Sequence, residues 1–225
     1  MKLVIADPPY PALRGAGGTK QRASRWYGTK QRSRTDVVAD IHPDAAAWDL
    51  DATHRALLEQ LMDEADGWAI ATSPDGIAAY GHLPHACRIM AWVKPNAQPG
   101  AHRLRSTWEP VILYPPKGRR SNRGGVGSVP DTLVCPVNTR SGFRGQKPAA
   151  WTRWVLDALT YRRGDVVIDM FPGSGAIDAA LRGIDLHGTT GLDRGAACDS
   201  HEGWEAVETL PWVSSVESSL GCCVR

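Results

Sequence analysis

The sequence lacks a membrane-spanning segment, because no part of its 225 residues approaches the ~18 consecutive apolar residues that such a helix requires. It also lacks the layout of a signal peptide, since Met1-Lys2 leads through a short apolar run directly into Asp7-Pro8-Pro9. The five cysteines are odd in number and irregularly spaced, which fits neither a disulfide framework nor a zinc site of paired CxxC motifs. We therefore expect a cytoplasmic protein with reduced cysteines.

Charge is nearly balanced over the whole chain, with 26 Lys and Arg against 24 Asp and Glu, but it is segregated. The range 14–34 carries seven basic residues and no acidic one, and a second basic cluster without acidic residues includes Arg119 and Arg120. Local positive charge on a nearly neutral protein is typical of a surface that binds a polyanion. Two solvated surface loops explain the same charge equally well, so both interpretations stay open.

Short apolar runs alternate with helical patterns along the chain, which predicts an α/β fold with a mostly parallel sheet and helices on both faces. The ranges 11–34 and 115–144 show little regular pattern and are interpreted as loops, apart from a short strand at 132–135. The other strands are expected at 3–6, 68–72, 88–94, 110–114, 165–169 and 187–192. Helices are expected at 51–65, with Asp51 or Thr53 as N-cap, at 151–159 and after Gly175.

One motif joins the predicted strand at 165–169, whose apolar run indicates a buried strand, to a helix through the turn Met170–Gly175. Glycines let the backbone approach a ligand closely, and the first turn of a helix presents free N–H groups. Asp193, eighteen residues beyond Gly175, can accept hydrogen bonds from the hydroxyls of a ribose. Asp178 replaces the third glycine of a GxGxxG motif, which favours a nucleoside over a dinucleotide. Taken alone, the turn is equally well explained by steric requirements.

A second motif, the tetrad Asp7-Pro8-Pro9-Tyr10, directly follows the first predicted strand. Two prolines fix the backbone and leave their carbonyls free to accept hydrogen bonds. A carboxylate, a rigid carbonyl and an aromatic ring are therefore expected at the edge where open α/β sheets bind ligands. Such a group can accept both hydrogens of an exocyclic amine and stack on a planar base. The alternative is a strand that ends at two prolines, with Tyr10 in the core.

Together the two motifs resemble those of the amino-methyltransferases of DNA, in the β-type order in which the catalytic tetrad precedes the cofactor loop. Asp7–Tyr10 matches the DPPY motif, and Asp169–Gly175 matches the FxGxG loop for S-adenosylmethionine. Gln146–Pro148, Trp92–Asn96 and Thr107–Leu113 resemble further elements of the family in the same order. The resemblance implies a Rossmann-like methyltransferase fold with a circularly permuted order of motifs.

The resemblance also implies a role for each motif residue. Asp7 and the carbonyl of Pro8 would hold the target amine, which attacks the methyl group in line, while Tyr10 stacks on a base turned out of the duplex. Phe171 would pack on the adenine of the cofactor, and Lys147 would either reach its carboxylate or form a structural turn. The expected catalytic residues are Asp7, Pro8, Pro9 and Tyr10. The expected cofactor-binding residues are Asp169, Phe171, Gly173, Ser174, Gly175, Asp193 and Lys147.

The first and last residues of the tetrad favour one substrate among several. In the family, aspartate at the first position is commoner in adenine-N6 enzymes, and Tyr10 differs from the tryptophan of an RNA-adenine branch. We therefore expect adenine-N6 methylation of DNA, with cytosine-N4 or RNA methylation and a catalytically silent nucleic-acid-binding relative as alternatives. The expected nucleic-acid-binding residues are Arg22, Arg25, Trp26, Tyr27, Lys30, Arg32, Arg119 and Arg120.

The resemblance covers most of the chain and implies a catalytic domain at 1–197, followed by a peripheral tail at 198–225. Within the domain, the basic loop 14–34 and the short range 115–146 are expected to contact the target. No metal is expected, since His82, His85 and Cys87 lack a fourth ligand. Cys135 is expected to be a small buried residue. The compact chain suggests an enzyme of a phage or mobile element, acting in restriction–modification or DNA protection in a bacterial or phage-infected cell.

Overall fold

The protein is described by a computed structural model, which covers residues 1–11, 13–14, 20–21, 44–97, 104–121, 127–137 and 146–187. Eight strands and three α-helices are formed by these residues. The strands are β1 (Lys2–Ala6), β2 (Leu13–Arg14), β3 (Lys20–Gln21), β4 (Gly67–Ala71), β5 (Arg88–Val93), β6 (Trp108–Tyr114), β7 (Thr132–Val134) and β8 (Val166–Asp169). The helices are α1 (Asp51–Glu64), α2 (Ala149–Ala158) and α3 (Ala176–His187), with 3₁₀ helices at Ala47–Asp49 and Asp75–Tyr80.

Six strands form one sheet in the order β7-β5-β6-β4-β1-β8. β1 runs parallel to β4 and β8, β5 runs parallel to β7, and β6 is antiparallel to both of its neighbours. Five of the six strands therefore point in one direction, which confirms the prediction of a mostly parallel sheet. A separate antiparallel pair, β2 and β3, lies in the range that the sequence predicted as an irregular loop.

Helices cover both faces of this sheet, as predicted. Alternation along β1 sends Leu3 and Ile5 to one face, where they join a core with Trp151 and Val155 of α2. Val4 and Ala6 point to the other face and join a core that includes Leu57, Leu58 and Leu61 of α1. β1 is thus covered on both faces, which explains why its sequence is a continuous apolar run rather than an alternating one.

Three local predictions differ from the structure. The N-cap of α1 is Leu50, without a side-chain cap, because the preceding 3₁₀ helix engages Thr53, whose Oγ1 donates to the carbonyl of Ala47 at 2.6 Å. β8 is not fully buried, since 61% of Val166 is exposed. His187 ends α3 instead of beginning a strand, and the remainder of the predicted strand lies outside the described residues.

None of the helices within the described ranges is long and apolar enough to cross a membrane.

Candidate active site

The structure brings the two sequence motifs to neighbouring strands. β1 and β8 are adjacent and parallel, with Ile5 opposite Asp169, and the N–H of Met170 donates to the carbonyl of Ile5 at 3.1 Å. The tetrad follows the end of β1, and the glycine turn follows the end of β8. Both motifs therefore meet at the carboxyl edge of the sheet, although 164 residues separate Ile5 from Asp169 along the chain.

Lys147 lies against the tetrad and pairs with Asp7. Its Nζ donates to both carboxylate oxygens of Asp7, at 2.9 and 2.8 Å, and to the hydroxyl of Tyr10 at 3.0 Å. The lysine side chain is only 8% exposed, and its ammonium lies 5.4 to 5.8 Å from the ring centres of Tyr10, Trp92 and Trp151. The structure thus places Lys147 on the predicted catalytic carboxylate.

Two opposing effects act on the ionisation of Asp7. Burial raises the pKa of this carboxyl, whereas the charge and the hydrogen bonds of Lys147 lower it. Burial is the larger effect, so that the pKa of Asp7 is raised above its ordinary value. The site therefore keeps a carboxyl group that takes up a proton more readily than one in water.

Glu109 and Lys94 extend this network, and sequence reasoning gave neither of them a role. The hydroxyl of Tyr10 donates to Oε2 of Glu109 at 2.8 Å, and Nζ of Lys94 donates to Oε1 at 2.6 Å. Burial raises the pKa of Glu109, but the charges of Lys147 and Lys94 outweigh it, so that the pKa is lowered and Glu109 stays ionised. Both residues belong to segments that carry the family resemblance, which is the signal that could have found them.

The glycine turn is shaped by positive backbone angles and by Asp169. Gly173 has φ 39° and Gly175 has φ 70°, a region that favours glycine, and a Cβ on Gly175 would meet nothing within 4 Å. Oδ1 of Asp169 accepts a hydrogen bond from the N–H of Phe171 at 3.1 Å. Burial, assisted by the charges of Asp178 and Asp7, outweighs this hydrogen bond and raises the pKa of Asp169 to about 6.

Phe171 is held by a row of aromatic rings on the α1 face of the sheet. Its half-buried ring lies 5.2 Å from that of Trp48, which contacts His54, and His54 in turn contacts Tyr80, all in edge-to-face geometry. His54 is fully buried, with Nε2 at 3.0 Å from the carbonyl of Trp48 and Nδ1 at 3.3 Å from the hydroxyl of Tyr80. Sequence reasoning missed this row, because Trp48 and Tyr80 lie in 3₁₀ helices without a periodic pattern.

The remaining motif residues that the structure describes lie at the same edge. Pro8 and Pro9 are buried directly after β1. Ser174 is half-buried between the two glycines of the turn, immediately before α3 begins. The N-terminus of this helix therefore opens beside the tetrad.

Arg119 and Arg120, which the sequence predicts to bind nucleic acid, lie at the edge of the sheet opposite the tetrad. Because β6 is antiparallel, its last residue, Tyr114, pairs with Trp68 near the beginning of β4, far from the tetrad. Arg120 lies over the ring of Tyr114 at 4.7 Å and donates from Nε to the carbonyl of Pro115 at 3.0 Å.

Arg119 has a structural partner at that edge. Its guanidinium forms a two-pronged contact with Asp165, at 2.5 and 3.0 Å, and donates to the carbonyl of Thr160 at 3.0 Å. The hydrogen bonds from Arg119, together with those from the N-terminal ammonium of Met1 and the N–H of Arg162, hold the pKa of Asp165 well below its usual range. Arg119 therefore ties the chain after β6 to the beginning of β8, and its contact with nucleic acid stays a prediction.

The other predicted site residues cannot be placed. Asp193 and the predicted nucleic-acid contacts of the basic loop lie outside the described residues; these contacts are Arg22, Arg25, Trp26, Tyr27, Lys30 and Arg32.

Within the part of the chain that the structure describes, no group of three His, Cys, Asp or Glu side chains could hold a metal ion. Cys87 is a free thiol, and burial raises its pKa to about 11. Cys135 is buried, as expected.

The comparisons with known proteins concern the fold. No protein-family model matches this sequence, and none of the curated proteins matches it. Among solved structures, the chain is similar to the crystal structure of the M1.HpyAVI-SAM complex. The two share 14% identical residues over 82% of this chain and 78% of that chain, with a TM-score of 0.49.

Proposed function

We propose that this chain is an S-adenosylmethionine-dependent methyltransferase that transfers a methyl group to the N6 amine of adenine in DNA. One observation carries the proposal: the tetrad after β1 and the glycine turn after β8 lie at the same edge of two adjacent parallel strands. The groups that would accept hydrogen bonds from the target amine and the loop suited to a nucleoside are therefore neighbours. The two motifs are close enough that the charge of Asp7, after burial and the charge of Asp178, contributes to the raised pKa of Asp169.

The residues of the glycine turn fit S-adenosylmethionine. Gly175 has open space where a side chain would lie, and Gly173 also has a positive φ, so the backbone leaves room for a ligand. The first turn of α3 presents free N–H groups to the carboxylate of a methionine moiety. Asp169 and Phe171 would line the nucleoside part, and Asp193 would bind the ribose.

When bound, S-adenosylmethionine supplies a methyl group carried on a positively charged sulfur. The chain supplies position and charge. The carboxylate of Asp7 accepts one hydrogen bond from the target amine, and the carbonyl of Pro8 accepts the other. These hydrogen bonds draw the lone pair of the nitrogen out of conjugation with the ring. Because the pKa of Asp7 is raised, its carboxylate readily accepts the proton that the amine loses.

Lys147 can stay on Asp7 while the amine binds. A carboxylate offers about four acceptor positions, and the lysine uses one on each oxygen. Lys147 therefore offsets part of the cost of burying Asp7 and orients its free lone pairs. In this proposal it serves the tetrad rather than the carboxylate of the cofactor.

The choice of DNA and adenine is supported by the tetrad residues Asp7 and Tyr10, as the resemblance implies. The ring of Tyr10, which is half-buried and packs against the core, would stack on a base turned out of the stack. We assign the contacts with DNA phosphates to the basic range 14–34, and the contacts with the target sequence to 115–146. The catalytic domain would then span 1–197, in a cytoplasmic enzyme.

The test is transfer of radiolabelled methyl from S-adenosylmethionine to DNA and to RNA, followed by nucleoside digestion and mass spectrometry. N6-methyladenine from DNA is expected, and Asp7→Ala should abolish it while calorimetry still detects the cofactor. Recovery of N4-methylcytosine would mean that cytosine is the target base instead of adenine. Label in RNA alone would mean that RNA is the substrate instead of DNA. Absence of label from both polymers with intact cofactor binding would instead indicate a silent nucleic-acid-binding protein.

A further inference from the structure

Glu109 reaches the tetrad because of the reversed strand in the sheet. β6 is antiparallel to β4, with Val111 opposite Ala71, the last residue of β4. The beginning of β6 therefore lies at the edge where β1, β4 and β8 end. Glu109, the second residue of β6, thus meets the tetrad from a strand that carries none of its residues.

Four charged side chains alternate in sign across this edge. Asp7 contacts Lys147, Lys147 lies 3.5 Å from Glu109, and Glu109 contacts Lys94. The side chains of Glu109 and Lys94 are largely buried, with 19% and 12% exposed. The carboxylate of Glu109 also accepts the hydroxyl proton of Tyr10 at 2.8 Å. One side chain thus anchors both the ring of Tyr10 and the ammonium that holds Asp7.

We propose that Glu109 is a positioning residue of the methyltransferase: it fixes Tyr10 and Lys147 so that the stacking ring and the Asp7 carboxylate meet the target base in one geometry. The inference rests on the proposed function. Glu109 itself does not touch the base or the cofactor. Its effect passes through the hydroxyl of Tyr10 on one side and through Nζ of Lys147 on the other.

Glu109 would act by aligning Tyr10 and Lys147. A tyrosine ring turns about two bonds, and anchoring its hydroxyl between a donor and an acceptor removes most of that freedom. Without the charge of Glu109, the buried ammonium groups of Lys94 and Lys147 would each lose a charged partner, and Lys147 would shift relative to Asp7. A displacement of about 1 Å at reacting groups can reduce a rate about 100-fold.

The test compares Glu109→Gln, Tyr10→Phe and the double variant with the wild type. Glu59→Gln, an exposed glutamate on α1, is the matched control. We expect Glu109→Gln to lower kcat about 10- to 100-fold, since it removes a charged partner, while the affinity for S-adenosylmethionine measured by calorimetry changes less than about twofold. Because both changes act through the same hydroxyl, the double variant should be no more than about threefold slower than the slower single variant.

Each other outcome is decisive. An unchanged kcat for Glu109→Gln, a double variant whose loss is the product of the single losses, or an equal loss of cofactor affinity would overturn the positioning role alone. Absence of methyl transfer by the wild type to any polymer would overturn the proposed function and this role with it. If Glu109→Gln unfolds, Lys94→Gln takes its place: it leaves Glu109 present but unanchored, and an unchanged kcat in that variant would also overturn the role.

Discussion

The surroundings of Asp169 oppose the ionisation of its carboxyl group. The stability of the fold is therefore expected to depend on pH through this residue. Its pKa is raised from 3.8 to about 6, so the folded state binds more protons than the unfolded state between these values. The free energy of unfolding contributed by this group therefore falls as the pH rises through that window and is constant above it. Asp169→Asn lacks this loss and keeps an acceptor for the N–H of Phe171.

We accordingly expect Asp169→Asn to be as stable as the wild type near pH 4 and more stable at pH 7, with the difference developing between about pH 4 and pH 6. Urea unfolding at several pH values measures it, and the exposed Asp63→Asn on α1 is the control. A difference in stability that does not vary with pH would show that the variant acts by another route.

Measurements in solution can separate the two interpretations of Lys147, as a partner of Asp7 or as a ligand of the cofactor. Since its charge lowers the pKa of Asp7, Lys147→Met should raise that pKa and move the acid limb of the pH–activity profile to higher pH. The affinity for S-adenosylmethionine should stay within about twofold of the wild type if Lys147 serves Asp7 alone. Weakened cofactor binding with an unmoved acid limb would instead place Lys147 on the cofactor, as the sequence first suggested.

At the scale of elements, the end of α2 shows a conformation that its residue does not favour. Thr160 has φ 56°, and the N–H of Tyr161 donates to the carbonyl of Leu156, which is the bond that closes a Schellman motif. A β-branched residue is an outlier at this position, where glycine is preferred. Thr160→Gly should raise the free energy of unfolding by about 1 kcal/mol, measured by urea unfolding. Thr160→Ala keeps the Cβ and should gain less; an equal gain would exclude relief of backbone strain.

The contact of Arg119 joins β8 to the chain after β6, and its loss should loosen that edge of the sheet. Arg119→Ala should lower the free energy of unfolding by about 1.5–3 kcal/mol near pH 7, because it removes a two-pronged charged contact. The pKa of Asp165 is held below 3.8, so this stabilisation exists above that value and is lost as the pH falls below it.

The cost of Arg119→Ala should therefore shrink in acid, while Arg88→Ala on the exposed surface of β5 should cost little at any pH. The salt dependence of DNA binding by Arg119→Ala tests the predicted contact of Arg119 with nucleic acid. A shallower dependence than that of the wild type would confirm the contact, and an equal one would limit Arg119 to its contact with Asp165.

The local sequence pattern predicted the positions of helices and strands well. It predicted contacts between residues that are distant along the chain poorly. β1, β4, β5, β6 and α2 lie within two residues of their expected positions at each end, because apolar runs and helical periodicity are local properties. The carboxylates that Lys147 and Arg119 contact were not predicted, since they lie 140 and 46 residues away along the chain. The role of Glu109 depends on a strand reversal that no local pattern encodes.

For the whole molecule, the segregation of charge predicts how DNA binding responds to salt. Neutralising Arg22, Arg25 and Arg32 together should reduce the slope of log affinity against log salt by up to about 2.7, since each phosphate contact contributes about 0.9. Titrations at several salt concentrations measure the slope. A triple change at exposed arginines of the described surface, Arg88, Arg153 and Arg163, leaves the same net charge and is the control. Equal slopes for both variants would mean that the basic loop is a solvated surface loop without contacts to DNA phosphates.

The pairing of β1 with β8 has a consequence during synthesis. At about 5–20 residues per second, a ribosome needs roughly 8 to 33 seconds to make the 164 residues that separate Ile5 from Asp169. Until then, one side of a strand that is apolar from Leu3 to Ala6 has no partner for its backbone groups, and such an edge readily pairs with another chain. The nascent protein therefore passes through a long interval in which it is prone to aggregate and cannot yet act on any substrate.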